Sequence, residues 1–228
     1  MQSQIKALIF DMDNTLLDFY KFKRASSLAA VKTMIKHGLK AKQADAERVL
    51  WSLYYEMGFE SRGVFQELMK RLGHDSKDLK MLASAIVAYR EARAHSLVAY
   101  SEVFPTLKTL KKRGYRLWIV SDAPGLKAWI RLASVGLDDM FERVITKDDT
   151  GSFKASGIPF KYAIAELAEF NITSGQVLVI GDSGSRDIIP AQTAGMKTAT
   201  AVYGRQKPSR VKADYELKSI KDLLKICK

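Results

Sequence analysis

The chain has 228 residues, 47% of them apolar and 27% charged, which excludes a largely disordered chain and leaves room for one globular unit with an insertion. No apolar run approaches the ~18 residues that a membrane span needs, so no spanning helix is expected. The formal charge of +12 suits solvated helical faces and the steering of small anions, while the interleaving of 15 Lys or Arg with 8 Asp or Glu between Lys21 and Tyr100 gives no basic block for specific nucleic-acid binding.

Cys227 is the single cysteine, so no intrachain disulfide is expected and a cytoplasmic setting is favoured. The first apolar run, Ile5 to Phe10, is interrupted by Asp11 too soon for a secretory signal, and Asn171 in its Asn-Ile-Thr sequon reads as a turn residue. That run predicts a buried strand opening into the acidic loop Asp11-Met12-Asp13-Asn14-Thr15. From Phe22 to Tyr100 the pattern changes to helical spacing, over Ala25 to Ile35, Asp45 to Met57, Val64 to Leu72 and Leu79 to Leu97, with Gly38, Gly58 and Gly73 as breaks.

Val103 to Arg113 predicts a helix, and α and β segments then alternate. Strands are expected at Tyr115 to Val120, Arg143 to Thr146, Val177 to Ile180 and Lys197 to Val202. Helices are expected at Pro124 to Gly136, Pro159 to Phe170 and Arg186 to Ala194, with a last strand and helix over Asp214 to Ile226. This order predicts an α/β fold with a parallel sheet whose loops at the strand carboxyl ends share one rim. Residues 1–19 and 99–228 would form that core, and residues 20–98 an inserted all-helical cap domain.

Asp11 and Asp13 sit one residue apart at the end of the first strand, so a bent loop brings both to one substrate. One carboxylate serves as an oxygen nucleophile, and the other protonates a departing alcohol and then deprotonates water. An already anionic phosphoryl group requires positive compensation. Asp182, just past Val177 to Gly181, would return to the Asp11 loop, and these two carboxylates with one backbone carbonyl and water meet the octahedral oxygen demand of Mg2+. Asp187 either binds the metal directly or orients its shell.

Over nearly its whole length the chain resembles the haloacid-dehalogenase-like (HAD) phosphohydrolase superfamily, whose members share a Rossmann-like core and often carry a mobile cap. Asp11 to Thr15 look like its first motif, Ser121 like the second, Lys154 like the third, and Gly181-Asp182-Ser183-Gly184-Ser185-Arg186-Asp187 like the fourth. The resemblance implies that Asp11 is the nucleophile and a magnesium ligand, that Asp13 lends its main-chain carbonyl to the metal, and that Asp182 is a further ligand. It makes Thr15, Ser121 and Lys154 the substrate-binding set, with Thr15 also fixing the catalytic loop. Lys154 would offset charge around phosphate and nucleophile, and Asp187 would support the metal or the lysine. The expected partner is a small phosphorylated metabolite selected by the cap.

Two positions depart from the family pattern. Ala155, not proline, follows Lys154, which keeps Lys147 and Lys161 as alternatives, and Asp122 stands where asparagine is common, bringing a charge that would repel phosphate unless it faces a helix amino terminus. The competing functions are a carbon–halogen hydrolase and a nonenzymatic interaction protein. Asp13 favours phosphate esters, because an alkoxide leaves with the help of an acid and a halide leaves without one. His37, His74 and His95 are dispersed and assemble no zinc site, Gly151 to Lys154 lack the spacing of a nucleotide-binding loop, and Trp118 reads as core.

Overall fold

The structure, a computed structural model, describes residues 4–205 and 209–228. The chain divides into two compact units, Met1–Asp18 with Val98–Lys228, and Phe19–Leu97.

The first unit begins with β1 (Ala7–Phe10), all four residues of which are buried. Leu8, Ile9 and Phe10 each contribute ~1.5–3 kcal/mol on leaving water, which is why this short run is fixed at the centre of the sheet. The chain leaves the unit at Asp18 and returns at Val98, where the Asp18 N–H donates to the Val98 carbonyl at 3.0 Å.

The second unit contains only helices among its described elements: α1 (Phe19–Lys36), α2 (Gln43–Met57), α3 (Val64–Arg71) and α4 (Leu79–Ser96). Its core gathers Val31, Met34, Leu50, Leu53, Tyr54 and Leu68. Asp78 caps α4 by accepting from the Met81 N–H at 3.0 Å, a contact of the kind that stabilises a helix by ~1 kcal/mol. Lys23 is buried in this unit, where its ammonium donates to the Phe59 carbonyl at 2.7 Å and the Tyr89 hydroxyl at 2.9 Å and lies 4.1 Å from the centre of the Tyr54 ring. Trp51 and Tyr54 belong to the same packing, whereas Tyr55 is exposed.

The first unit resumes with α5 (Val103–Lys112), β2 (Arg116–Val120), α6 (Gly125–Ser134) and β3 (Arg143–Ile145). It continues through α7 (Lys147–Thr150), α8 (Ile158–Ala168), β4 (Val177–Gly181), α9 (Ile189–Thr193), β5 (Lys197–Ala201), β6 (Tyr215–Leu217) and α10 (Leu223–Ile226). Six strands form one sheet in the order β3-β2-β1-β4-β5-β6, and every pairing is parallel. This is the expected Rossmann-like α/β arrangement. Because β1 pairs with both β2 and β4, with Phe10 level with Ile119 and Ile180, the residues that follow these three strands emerge side by side at the carboxyl edge, where open α/β sheets bind ligands.

Two local expectations change. The stretch expected to be helical from Arg186 begins as a wide π-type turn, Gly184–Ile188, and the regular helix starts only at Ile189. Asp187 explains the turn: its carboxylate reaches back to the Ser183 N–H at 2.9 Å, which draws the turn inward. The short α7 was not expected, since four residues carry no periodic signal; a capping box between Thr146 and Asp149 starts it. Trp118 is buried in the sheet core as expected. No helix among the described residues is long and apolar enough to cross a membrane.

Candidate active site

Asp11 follows β1, and its N–H donates to the Ile180 carbonyl of β4 at 2.8 Å, which pins the loop to the neighbouring strand. Its carboxylate is buried and held on both oxygens. The Thr15 hydroxyl donates to Oδ2 at 3.0 Å, and the Lys154 ammonium donates to Oδ1. Thr15 is fully buried, with its hydroxyl turned to the Asp11 carboxylate.

The loop takes this course because Asn14 adopts a left-handed backbone, φ 65°, which asparagine tolerates better than most residues. The segment after β5 braces it. The Tyr203 hydroxyl donates to the Thr15 carbonyl at 2.7 Å, and a Cβ at Gly204 would lie only 1.5 Å from the Asn14 carbonyl oxygen, so only glycine permits that approach. Neither Tyr203 nor Gly204 was singled out from the sequence, because nothing in their local pattern points to a loop nearly 190 residues earlier.

Of the three lysines, Lys154 is the one brought to Asp11. It is 1% exposed and also donates to Asp187 Oδ1 at 2.6 Å, whereas Lys147 lies 4.0 Å from the centre of the Phe153 ring and Lys161 is exposed. Burial by itself would depress the Lys154 ammonium, but the Asp11 and Asp187 carboxylates outweigh it and hold the group above its ordinary range. The charge at Asp122 also has a partner, since its Oδ1 accepts the main-chain N–H of Lys154 at 2.7 Å. Asp122 therefore meets the turn that carries Lys154, which removes the reason to expect it to face a phosphate bare.

Ser121 follows β2, is buried, and accepts the Ala123 N–H at 3.2 Å. Asp182 and Asp187 arrive from the loop after β4. The Asp187 side chain lies against the α-carbon of Gly181, where an added Cβ would sit 2.4 Å from it. Both Asp187 oxygens accept hydrogen bonds, from Lys154 and from Ser183, which suits a residue that holds its neighbours in place.

Asp11, Asp182 and Asp187 each place a carboxylate oxygen within 4.8 Å of the others. Asp182 Oδ1 is buried and accepts no hydrogen bond among the described residues, and Arg186 at 3.9 Å is beyond hydrogen-bond reach. Burial, followed by the nearby Asp11 and Asp187 charges, pushes the Asp182 carboxyl up to about 8. An acceptor left over amid hard oxygen donors fits a hard divalent cation, and Asp11 with Asp182 would hold it.

Asp13 turns its carboxylate to another partner. Its Oδ2 accepts from the guanidinium of Arg131 on α6, and Arg131 is only 3% exposed. The sequence did carry a signal for this arginine: with Ala128 and Leu132 it occupies the buried stripe of α6, a position where a cation without a partner would be costly.

Residues 5–195 match the haloacid dehalogenase-like hydrolase family. The glyceraldehyde 3-phosphate phosphatase of Pyrococcus furiosus is 31% identical over 98% of this chain and 93% of its own length. The protein of that name from Methanocaldococcus jannaschii is 29% identical over 98% of this chain and 97% of its own. Among solved structures, the HAD phosphatase from Thermococcus onnurineus superposes with a TM-score of 0.71 at 27% identity, over 97% of each chain. With its acidic strand-end loops converging on one edge of a parallel sheet, the chain belongs to the haloacid dehalogenase-like hydrolase family.

Proposed function

We propose that this hydrolase is a magnesium-dependent phosphatase that cleaves phosphate monoesters of small metabolites through an aspartyl-phosphate on Asp11. The observation that carries the reading is the pairing of Asp11 with the buried ammonium of Lys154 at the end of the central strand. A carboxylate that attacks an anionic phosphoryl group needs a fixed positive charge beside it. Relatives named for glyceraldehyde 3-phosphate support a small phosphorylated substrate, and the +12 chain favours approach of an anion. The single cysteine supports a cytoplasmic setting.

In the first half-reaction a carboxylate oxygen of Asp11 attacks phosphorus while the ester P–O bond breaks. The bonding electron pair departs on the alcohol oxygen, which takes a proton from Asp13. In the second half, water attacks the same phosphorus, Asp13 takes a proton from that water, and Asp11 is released as a carboxylate together with inorganic phosphate. Thr15 keeps the Asp11 oxygen in line, Ser121 donates to a phosphoryl oxygen, and Lys154, held by Asp187, balances the transferring charge. Asp11, Asp182 and the Asp13 main-chain carbonyl would hold Mg2+, which would supply positive charge for the phosphoryl oxygens. A carbon–halogen hydrolase would have no use for the acid at Asp13.

The test is a panel of small phosphomonoesters, glyceraldehyde 3-phosphate among them, assayed beside short 2-haloacids with and without Mg2+. Phosphate release that requires Mg2+ and disappears in purified Asp11→Asn is expected. Halide release, or phosphate release undiminished in Asp11→Asn, would sink the reading.

A further inference from the structure

Building on the phosphatase reading, we infer that Arg131 is a positioning residue for Asp13, the group that supplies and recovers the proton. Arg131 lies 118 positions away in sequence and approaches from α6, the helix that follows the Ser121 loop. Around it α6 exposes Leu126, Trp129 and Ile130, yet the arginine itself is turned inward and buried. Burying a guanidinium is unfavourable unless its charge is met, so its placement needs a reason beyond packing. One partner that meets this charge is Oδ2 of Asp13.

The other half of the pair is suited to being aimed. The Asp13 backbone is fixed by a bridge to Leu17 and by the left-handed turn at Asn14. Its carboxylate remains the adjustable part: the side chain is 25% exposed although Oδ1 is buried. By holding Oδ2, the planar guanidinium sets how the carboxylate presents its exposed edge. The two buried cations thus divide the work: Lys154 serves the nucleophile Asp11, and Arg131 serves the acid and base Asp13.

A purely structural ion pair and a positioning one differ in how their loss is felt. Misaiming Asp13 harms proton delivery, and proton delivery matters more for a basic alkoxide than for a stable phenolate. The experiment measures kcat and KM for the parent, R131M, R131K, D13N and R131M/D13N on two esters. One is p-nitrophenyl phosphate; the other is the alkyl phosphomonoester of the panel that the parent turns over fastest. We expect R131M to lose at least ~10-fold more kcat on the alkyl than on the aryl ester, with KM little changed. R131K, which keeps the charge without the fork, should stay folded and fall between R131M and the parent. D13N should lose more than R131M on the alkyl ester, and adding R131M to D13N should cost nothing further there, because Arg131 acts only through Asp13.

Equal losses on both esters, or losses in R131M and D13N that multiply, overturn the inference and leave the phosphatase reading standing. If R131M does not fold, R131K decides: a loss confined to the alkyl ester supports the positioning role, and parental or uniformly reduced rates on both esters overturn it. A parent that releases phosphate from no ester overturns the phosphatase reading and this inference with it.

Discussion

Lys154 and Asp187 are both buried at the carboxyl edge of the sheet, with Nζ and Oδ1 2.6 Å apart. Neither charge is sustainable there alone. Removing one partner of such a pair strands the other and costs about 3–5 kcal/mol. Lys154→Ala should therefore lower the melting temperature and also reduce kcat by roughly 10²–10³, the usual loss when a fixed donor to a developing anion is removed. Thermal melts and steady-state rates on the same preparation check both effects, and a stable variant with parental kcat would contradict the role given to Lys154.

Asp182 carries the unmatched oxygen of the acidic cluster. Asp182→Asn should weaken Mg2+ binding by ~10-fold or more, as loss of metal-supporting groups commonly does, and raising the metal concentration should restore part of the rate. Lys154→Ala should leave metal affinity less affected. Calorimetric titration with Mg2+ reads this without any turnover, and unchanged affinity in Asp182→Asn would remove it from the coordination shell.

Gly181 ends β4 against the side chain of Asp187, and the space for a methyl group is absent. Gly181→Ala should displace Asp187, loosening its hold on Lys154 and on the Ser183 N–H, with a stability cost of ~1–3 kcal/mol for overpacking. Denaturant unfolding and kcat should both shift. A variant with parental values in each would show that the loop relaxes freely, contrary to its packing.

Asp122 is tied to the Lys154 turn by an acceptor oxygen. Asp122→Asn keeps an oxygen that can accept that N–H and should stay within a few-fold of the parent, whereas Asp122→Ala leaves the N–H unmatched and should lower kcat by ~10-fold, in line with ~1–2 kcal/mol for a lost partner. Rates for the two variants, measured side by side, separate hydrogen bonding from charge. Equal losses would assign the effect to the charge instead.

The sequence by itself determined the parallel α/β character of the sheet unit and the positions at which its acids emerge. Runs such as Ala7–Phe10 and Val177–Gly181 are apolar on both faces, as strands covered on both sides must be, and each hands over to an aspartate at the rim. Such information is local, carried by a few consecutive residues. The partnerships inside the site are not local. The choice of Lys154 over Lys147 and Lys161, the tie from Asp122 to the Lys154 N–H, the brace of Tyr203 on Thr15 and the reach of Arg131 to Asp13 join residues 32 to 188 positions apart. They depend on where each crossover helix sets its buried stripe and how each loop leaves the sheet edge. A periodic pattern fixes which face of a helix is buried; only the packed structure decides which charge it meets there.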